Sequence, residues 1–211
     1  MYVRDYMTTS VITCSPETLV VDAQKLMDEH KIRRLPVMDG EKLVGIVTKT
    51  KLRDVAPSPA TSLSIWELNY LLAKMKVKEV MEKRVVTCAL DTTIEDSALI
   101  AKQHGVGALP VVENGRLMGI ITVTDVLNIL IEVLGLQKRS VRLHIVKSFV
   151  ARPLGEITSV INEHRVEIYS MFSLTVPRTK RKDLIVRLNT EDAGPIVEDL
   201  RSRGYTVEVS K

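Results

Sequence analysis

Apolar and polar positions follow the same pattern twice in the first part of the chain. A shift of 74 residues aligns residues 3–52 with residues 77–126 without a gap. Matches spread over so long a stretch are hard to obtain by chance, so the chain contains two copies of one supersecondary unit. We place repeat one at residues 1–56 and repeat two at residues 77–136. The identical pairs include Met7/Met81, Thr13/Thr87, Cys14/Cys88, Thr18/Thr92, Asp22/Asp96, His30/His104, Leu35/Leu109, Pro36/Pro110, Val37/Val111, Leu43/Leu117 and Gly45/Gly119.

Each repeat predicts the element order β-α-β-β-α. A short strand at residues 11–13 or 85–87 leads into a helix, since the apolar residues that follow it in repeat one have helical spacing. A hairpin comes next, with turns at Asp39-Gly40 and around Asn114-Gly115, because these dipeptides between β-rich runs are strong turn signals. The apolar helix positions of repeat one are Leu19, Val20, Ala23, Leu26 and Met27.

The ends of several helices can also be predicted. Thr92 and Glu95 have the spacing of a capping box at the start of the first helix of repeat two. The second helix of each repeat begins at the threonines after the hairpin, and Gly135 is the predicted C-cap in repeat two. Between the repeats, residues 57–76 predict a helical linker behind two prolines. Its Trp66 either packs against the repeats or a partner subunit, or stacks on a ligand.

The 74-residue period stops after Gly135, and the tail has a different pattern. Residues 140–211 predict the order βαββαβ, which is ferredoxin-like, and Gly204 ends the second helix of this tail. The fold class is therefore mixed α/β (α+β), with two pseudo-symmetric repeats and a separate small domain.

Composition favours a soluble protein with a real core, since 45% of the 211 residues are hydrophobic and 27% are charged. Only two cysteines occur, Cys14 and Cys88, so we expect no disulfide framework and a reducing compartment. The first residues lack the apolar run of a signal peptide, and the longest apolar stretch is too short to span a bilayer. We therefore expect a cytoplasmic protein without membrane contact.

The net charge of +4 is small and spread along the chain, so it permits anionic ligands without indicating nucleic acid. One dense basic cluster, residues 178–182, is either a solvated hairpin tip or a contact for phosphate or DNA. The sequence contains no HExxH, CxxC, GxSxG or Walker motif. We expect no catalytic residues, no metal site and no required cofactor, and we expect Cys14 and Cys88 to be small buried apolar residues.

The segments "RRLPVMDGEKLVGIVTKTKL" and "GALPVVENGRLMGIITVTDVL" resemble a tandem pair of CBS domains, a Bateman module, over about residues 1–135. The tail resembles an ACT-type regulatory domain. Together with the linker "SLSIWELNYLLAKMKVKEVM", this order is similar to the acetoin-utilisation regulatory protein family. The resemblance implies a regulatory homodimer that binds an adenine nucleotide (AMP, ADP or ATP, or an S-adenosyl compound) and acts on a metabolic enzyme.

The resemblance also implies roles for residues of repeat two. CBS pairs bind adenosine-containing ligands in two clefts between the repeats, and a carboxylate can accept both ribose hydroxyls, whereas a lysine has no lone pair to offer. Asp125 is then the ribose anchor, and Thr122 and Thr124 offer hydroxyls to ribose or phosphate. The alternative is that Asp125 only caps a helix beside Thr124.

Phosphate needs fixed positive charge, which in this family commonly comes from the residues before "LPV" in the other repeat. Arg33 and Arg34 stand there in repeat one, although they could also form a solvated corner. Adenine would lie near Ile12 and Thr13, flanked by Ile120. The opposite, degenerate cleft would have neither the carboxylate nor an arginine. It would contain Lys51, Thr48, Thr87, Gly107 and Ala108.

ACT domains bind amino acids at a loop after their first strand, typically with an Asp-x-Pro-Gly pattern. The corresponding stretch here is "VARPLGEI", with Arg152 and Gly155 as candidate ligand-loop residues, but it lacks the acid. A subunit-joining role through sheet edges is then the safer interpretation of the tail.

Three functional hypotheses follow from the sequence. The first is a nucleotide sensor that signals to the tail or to a partner enzyme. The second is a ligand-free oligomerisation scaffold. The third is a DNA-associated regulator that uses residues 178–182.

Overall fold

The structure of the protein is a computed structural model that describes residues 1–54, 74–146, 153–178 and 181–210. The chain divides into two units, Met1–Val126 and Leu127–Lys211, and the division falls inside a helix. No helix in the described ranges is long and apolar enough to cross a membrane. Trp66, Arg152 and two residues of the basic cluster, Thr179 and Lys180, lie outside the described residues, as does most of the linker.

Each repeat consists of a helix, a β-hairpin and a second helix, and only the first turn of the second helix of repeat two belongs to the first unit. A short 3-10 helix, Val3–Asp5, precedes them. Repeat one consists of α1 (Val20–Glu29), β1 (Arg34–Asp39), β2 (Lys42–Thr48) and α2 (Lys49–Asp54). After the short helix α3 (Val77–Val80), repeat two consists of α4 (Ile94–His104), β3 (Ala108–Glu113), β4 (Arg116–Thr122) and α5 (Val123–Val133).

The two hairpins join in one antiparallel sheet with the strand order β1-β2-β4-β3, in which the two repeats occupy equivalent positions. The strands β2 and β4 pair at the centre through Lys42 and Arg116. Each hairpin has a register shift at the same repeat position, after Val37 and after Val111. The repeat is therefore also a pseudo-twofold symmetry of the sheet.

The hairpin turns differ slightly between the repeats. Asn114 and Gly115 form the predicted two-residue turn, and both have positive φ, of 49° and 81°. In repeat one the turn is one residue later than predicted, because Asp39 still pairs with Lys42 and Gly40 is the first residue outside the strands. Gly40 has a φ of 59°, a left-handed value that glycine adopts without strain.

The predicted first strands, at residues 11–13 and 85–87, are corrected by the structure. Each is reduced to a single parallel bridge one residue later, from Cys14 to Val37 and from Cys88 to Val111. The chain leaves the sheet there because the next amide is already used: the Ser15 N–H donates to Thr18 Oγ1 at 3.0 Å. The Ala89 N–H does the same with Thr92 Oγ1.

That turn also explains why the predicted capping box of repeat two is wrong by one residue. Thr92 is occupied by the turn, so Thr93 is the N-cap of α4 and accepts a hydrogen bond from the Asp96 N–H at 3.0 Å. The helix of repeat one, α1, is as predicted, with Val20, Ala23 and Met27 buried. Gly135, with φ at 67°, follows the end of α5 as expected.

The N-terminal segment of each repeat crosses to the other repeat. Thr8 exchanges two backbone hydrogen bonds of 2.9 Å with Ile120, and Glu82 bridges Ile46 in the same way. This approach requires a glycine in the strand, since a Cβ on Gly119 would lie 2.5 Å from the Met7 sulfur and 2.9 Å from the Thr8 carbonyl oxygen. The frame "G-I-x-T" is thus retained twice because a neighbouring segment crosses it.

The second unit has the predicted order βαββαβ. After the last turns of α5 it consists of β5 (Val141–Val146), α6 (Pro153–Glu163), β6 (Ile168–Thr175), β7 (Lys182–Leu188), α7 (Gly194–Ser202) and β8 (Thr206–Ser210). The sheet order β6-β7-β5-β8 places the first and third strands at the centre, and all pairs are antiparallel. This is the ferredoxin-like arrangement. Residues such as Leu143, Val160, Val186 and Leu200 form its apolar core.

Candidate functional site

The crossing segment, the start of β1 and the end of β4 enclose a cavity of about 390 Å³, which we call the first cavity. Its size falls within the range of roughly 300–1,000 Å³ that small-molecule sites have. Both repeats contribute to it, so neither repeat could form it alone. Its lining residues are Thr8, Ser10, Val11, Ile12, Lys31, Ile32, Arg33, Arg34, Pro36, Ile120, Thr122, Thr124 and Asp125.

Asp125 stands in the first turn of α5 and is held by Thr122. Its Oδ2 atom accepts hydrogen bonds from the Thr122 N–H and from the Thr122 hydroxyl, each at 2.8 Å. Thr122 Oγ1 accepts in turn from the Asp125 N–H at 3.2 Å. This is a reciprocal capping box, and its partner is Thr122 rather than Thr124. Among the described residues no hydrogen bond reaches Oδ1, so the cap fixes the carboxylate and leaves one oxygen for a ligand.

Arg33 and Arg34 line the same cavity from repeat one. Burial, and then the charge of the adjacent Arg33, lowers the pKa of the Arg34 guanidinium below its usual value. In the part of the chain that the structure describes, no carboxylate lies within ion-pair distance of either arginine. Two adjacent cations of which one is half-buried are a fitting partner for an anion.

The structure brings seven of the eight residues of the predicted nucleotide site to this one cavity. The eighth, Thr13, is not among the lining residues. It precedes Cys14, whose side chain turns into the core, and the cavity wall is formed by Ser10, Val11 and Ile12 instead. The roles assigned to these residues remain predictions. Sequence reasoning missed Lys31, Ser10 and Thr8; Lys31 could have been found, because it stands two residues before the arginines.

The pseudo-symmetric cavity, which we call the second cavity, is smaller, at about 190 Å³. Of the residues predicted there, Thr48, Gly107 and Ala108 line it, whereas Lys51 and Thr87 do not. Thr48 Oγ1 accepts from the Lys51 N–H at 3.1 Å, but a lysine side chain cannot complete a capping box, and none of the described hydrogen bonds or ion pairs involves its ammonium group. Thr87 is exposed.

The expectation that the second cavity contains no arginine needs correction. Arg84 lines it, and so does Arg34, which thereby borders both cavities. Arg34 reaches across because Gly107 has no side chain: a Cβ there would lie 2.1 Å from Arg34 Nη2. Glu82 also lines this cavity, at the repeat position of Thr8. The two cavities differ in size, acid placement and charge, but the second has both a carboxylate and arginines in its lining, contrary to the prediction that it would have neither.

Of the predicted ligand loop of the tail, residues 150–157, the structure describes residues 153–157. Gly155 lies in the first turn of α6, is exposed, and has no described atom within 4 Å of a Cβ position. Its carbonyl accepts from the Thr158 hydroxyl at 3.0 Å, which is an ordinary contact inside a helix.

The model of the CBS domain matches this chain twice, at residues 3–58 and 77–132. An inosine-5'-monophosphate dehydrogenase of Korarchaeum cryptofilum is 38% identical over 124 residues, which cover 58% of this chain and 23% of that enzyme. The chain spans less than half the length of this and other curated relatives that it matches. The likeness to the dehydrogenases is confined to their CBS region.

Solved structures of CBS proteins have the same fold. A protein of Vibrio cholerae described as an acetoin utilization protein is 33% identical, with a TM-score of 0.54, and the match covers 66% of this chain and 97% of that one. CBSX2 in complex with AMP is 30% identical, with a TM-score of 0.52, over 62% of this chain and 96% of that one. CBS pairs are commonly regulatory sensors of adenosine ligands. With both repeats matched and their pairing observed, the chain belongs to the CBS-domain family and carries a tandem CBS pair, a Bateman module.

Proposed function

We propose that this chain is a regulatory, non-catalytic protein that binds an adenine nucleotide, AMP, ADP or ATP, in the first cavity. The observation that carries the proposal is that Asp125 with its cap comes from one repeat and Arg33 and Arg34, which pair with no described carboxylate, come from the other, and that all three line one cavity. CBSX2, a structural neighbour, was solved with AMP bound.

The chemistry of the lining residues fits the parts of such a ligand. The fixed Oδ1 atom of Asp125 can accept hydrogen bonds from ribose hydroxyls, which are donors. The guanidinium groups of Arg33 and Arg34 match phosphate oxygens in charge and geometry. Ile12 and Ile120 are half-buried apolar surfaces that can flank an adenine ring.

Regulation requires that the ligand favour one of two conformations. The helix α5 is a suitable element, because its first turn carries Thr124 and Asp125 while its later turns belong to the second unit. We further propose that the ligand state is passed to the ACT-like tail, or to a partner enzyme of acetoin utilisation. Val123, Leu127, Leu130 and Val133 are exposed apolar residues along this helix, and they support a homodimer that would cover them.

Thermal unfolding tests the proposal directly. A ligand that binds only the folded protein at a hundred times its dissociation constant adds about 2.7 kcal/mol to the free energy of unfolding. AMP, ADP and ATP at millimolar concentration should therefore raise the unfolding midpoint, and S-adenosylmethionine is the competitor to include. GMP is the matched control for the base. If no adenosine compound raises the midpoint and mass spectrometry finds none in the purified protein, a ligand-free scaffold is the better account.

A further inference from the structure

Lys31 occupies a backbone conformation that favours glycine, and it does so at the edge of the first cavity. Its φ is 54°, and the same position in repeat two is Gly105, with a φ of 64°. A side chain in this left-handed region brings its Cβ against a carbonyl oxygen, which is unfavourable. The conformation alone is not evidence of function, since Arg165 has the same φ and lines neither cavity. What distinguishes Lys31 is its place and its charge.

Three cations, Lys31, Arg33 and Arg34, line the first cavity against one carboxylate, Asp125. No carboxylate among the described residues pairs with any of the three cations. Some other lysines of this unit do have such partners: Lys25 pairs with Asp22, and Lys49, Lys76 and Lys78 also pair with carboxylates, whereas Lys42, Lys51, Lys83 and Lys102 have no described ion pair either. The cavity thus concentrates positive charge that the protein itself does not neutralise.

The three cations carry one positive charge more than the roughly two negative charges of one terminal phosphate, and the lining with Asp125 has a net charge of +2. A single terminal phosphate carries about two negative charges at neutral pH, which Arg33 and Arg34 can neutralise. Burial orders the three cations: Arg34 is half-buried, whereas Arg33 and Lys31 are exposed. A phosphate chain that starts at Arg34 and runs toward solvent would meet Lys31 at the mouth of the cavity.

We propose that Lys31 binds the terminal phosphates of adenosine di- or triphosphate at the mouth of the first cavity, and that it makes the site prefer these nucleotides to AMP. The inference rests on the proposed function, whose ligand it specifies. Repeat two has Gly105 at this position and Gly107 and Ala108 in place of the arginines, so the second cavity has no counterpart of Lys31 and takes its cations from Arg34 and Arg84 instead.

Calorimetric titrations of the full chain with AMP, ADP and ATP in magnesium-free buffer test this. The wild type should bind ADP and ATP more tightly than AMP. Lys31→Gln and Lys31→Gly should each lose affinity for ATP by roughly tenfold, the value of one hydrogen bond to a charged group, and lose less than about twofold for AMP. Lys25→Gln, which removes a paired lysine outside the cavity, should leave all three affinities unchanged.

The two Lys31 variants separate charge from backbone. Lys31→Gly relieves the left-handed conformation, so its unfolding midpoint should not fall below that of the wild type, whereas Lys31→Gln keeps the strain. A loss of ATP affinity shared by both variants therefore reports the missing charge. Equal losses for AMP and ATP, or no loss for either, would overturn the inference while the proposed function stands. A wild type that binds none of the three nucleotides would overturn the proposed function, and this inference with it.

Discussion

Replacing Asp125 by alanine should have two separable effects, because its carboxylate has two roles. The first is structural: Oδ2 accepts from the Thr122 N–H and hydroxyl at 2.8 Å. Loss of such a cap costs about 1 kcal/mol of stability. Since domains of this kind have a free energy of unfolding of roughly 5–15 kcal/mol, the variant should remain folded and its binding can be measured.

The second effect is on the ligand. Each hydrogen bond to a charged acceptor contributes about 1.5–3 kcal/mol, so losing two ribose contacts should weaken binding by at least roughly a hundredfold. Lys51→Ala is the matched control, since Lys51 has the same repeat position. Lys51→Ala should change affinity little, because Lys51 lines neither cavity. It should also keep the helix cap, because the bond that caps α2 uses the backbone N–H, which alanine retains.

Calorimetry with AMP and its 2'-deoxy and 3'-deoxy analogues measures the ribose contribution itself. Each deoxy analogue should bind the wild type more weakly than AMP does, and Asp125→Ala should no longer distinguish the three. Urea unfolding of the same samples gives the cost of the cap. Equal losses of affinity in Asp125→Ala and Lys51→Ala, or deoxy analogues that bind the wild type as tightly as AMP, would refute the assignment.

Three further predictions concern the ionisable groups. Hydrogen bonds from Lys76 and then Lys78 lower the pKa of Glu17 from 4.5 to about 2, so its contribution to stability is present above pH 4.5 and is lost as the pH falls toward 2. In the Glu17→Gln variant the unfolding midpoint should change less between pH 4.5 and pH 2 than it does in the wild type. Identical pH profiles of the two proteins would contradict this. Asp183 is almost fully buried, and its bonds to Arg181 and then to His144 lower its pKa. Asp183→Asn should cost roughly 1.5–3 kcal/mol in urea unfolding, and an unchanged midpoint would count against the network. Burial raises the pKa of both cysteine thiols to about 11, so a thiol reagent at neutral pH should label them only after unfolding, and fast labelling of the folded protein would show that they are accessible.

The sequence repeat made most of the first unit predictable, because an element predicted in one repeat is supported by its counterpart in the other. Gly45 and Gly119, for example, stand at the same position of the two hairpins. Local chemistry was harder to predict. Thr92 and Thr93 are adjacent residues that can both cap, and only the turn that uses Thr92 decides between them. The predicted strand at residues 11–13 failed for the same reason, since a turn inside the loop competes with the sheet.

The candidate site could be assembled from sequence as far as the family resemblance pairs residues across the repeats. That pairing assigned Asp125, Arg33 and Arg34 to one site, and all three line the first cavity, while their roles as ligand contacts stay predictions. It could not find Arg84 or the double position of Arg34, because these depend on which side chain fills the space that Gly107 leaves open. A missing side chain in one repeat determines where a long side chain of the other can go, and no local pattern records that.

The position of Arg34 between the two cavities has a consequence for the binding of anions in them. Its guanidinium borders both cavities, yet it can neutralise only one phosphate at a time. Filling one cavity with an anion therefore changes the electrostatic environment of the other, and by thermodynamic reciprocity the influence is mutual. Under the proposed function, the two cavities would therefore not bind anionic ligands independently, because Arg34 lines both of them.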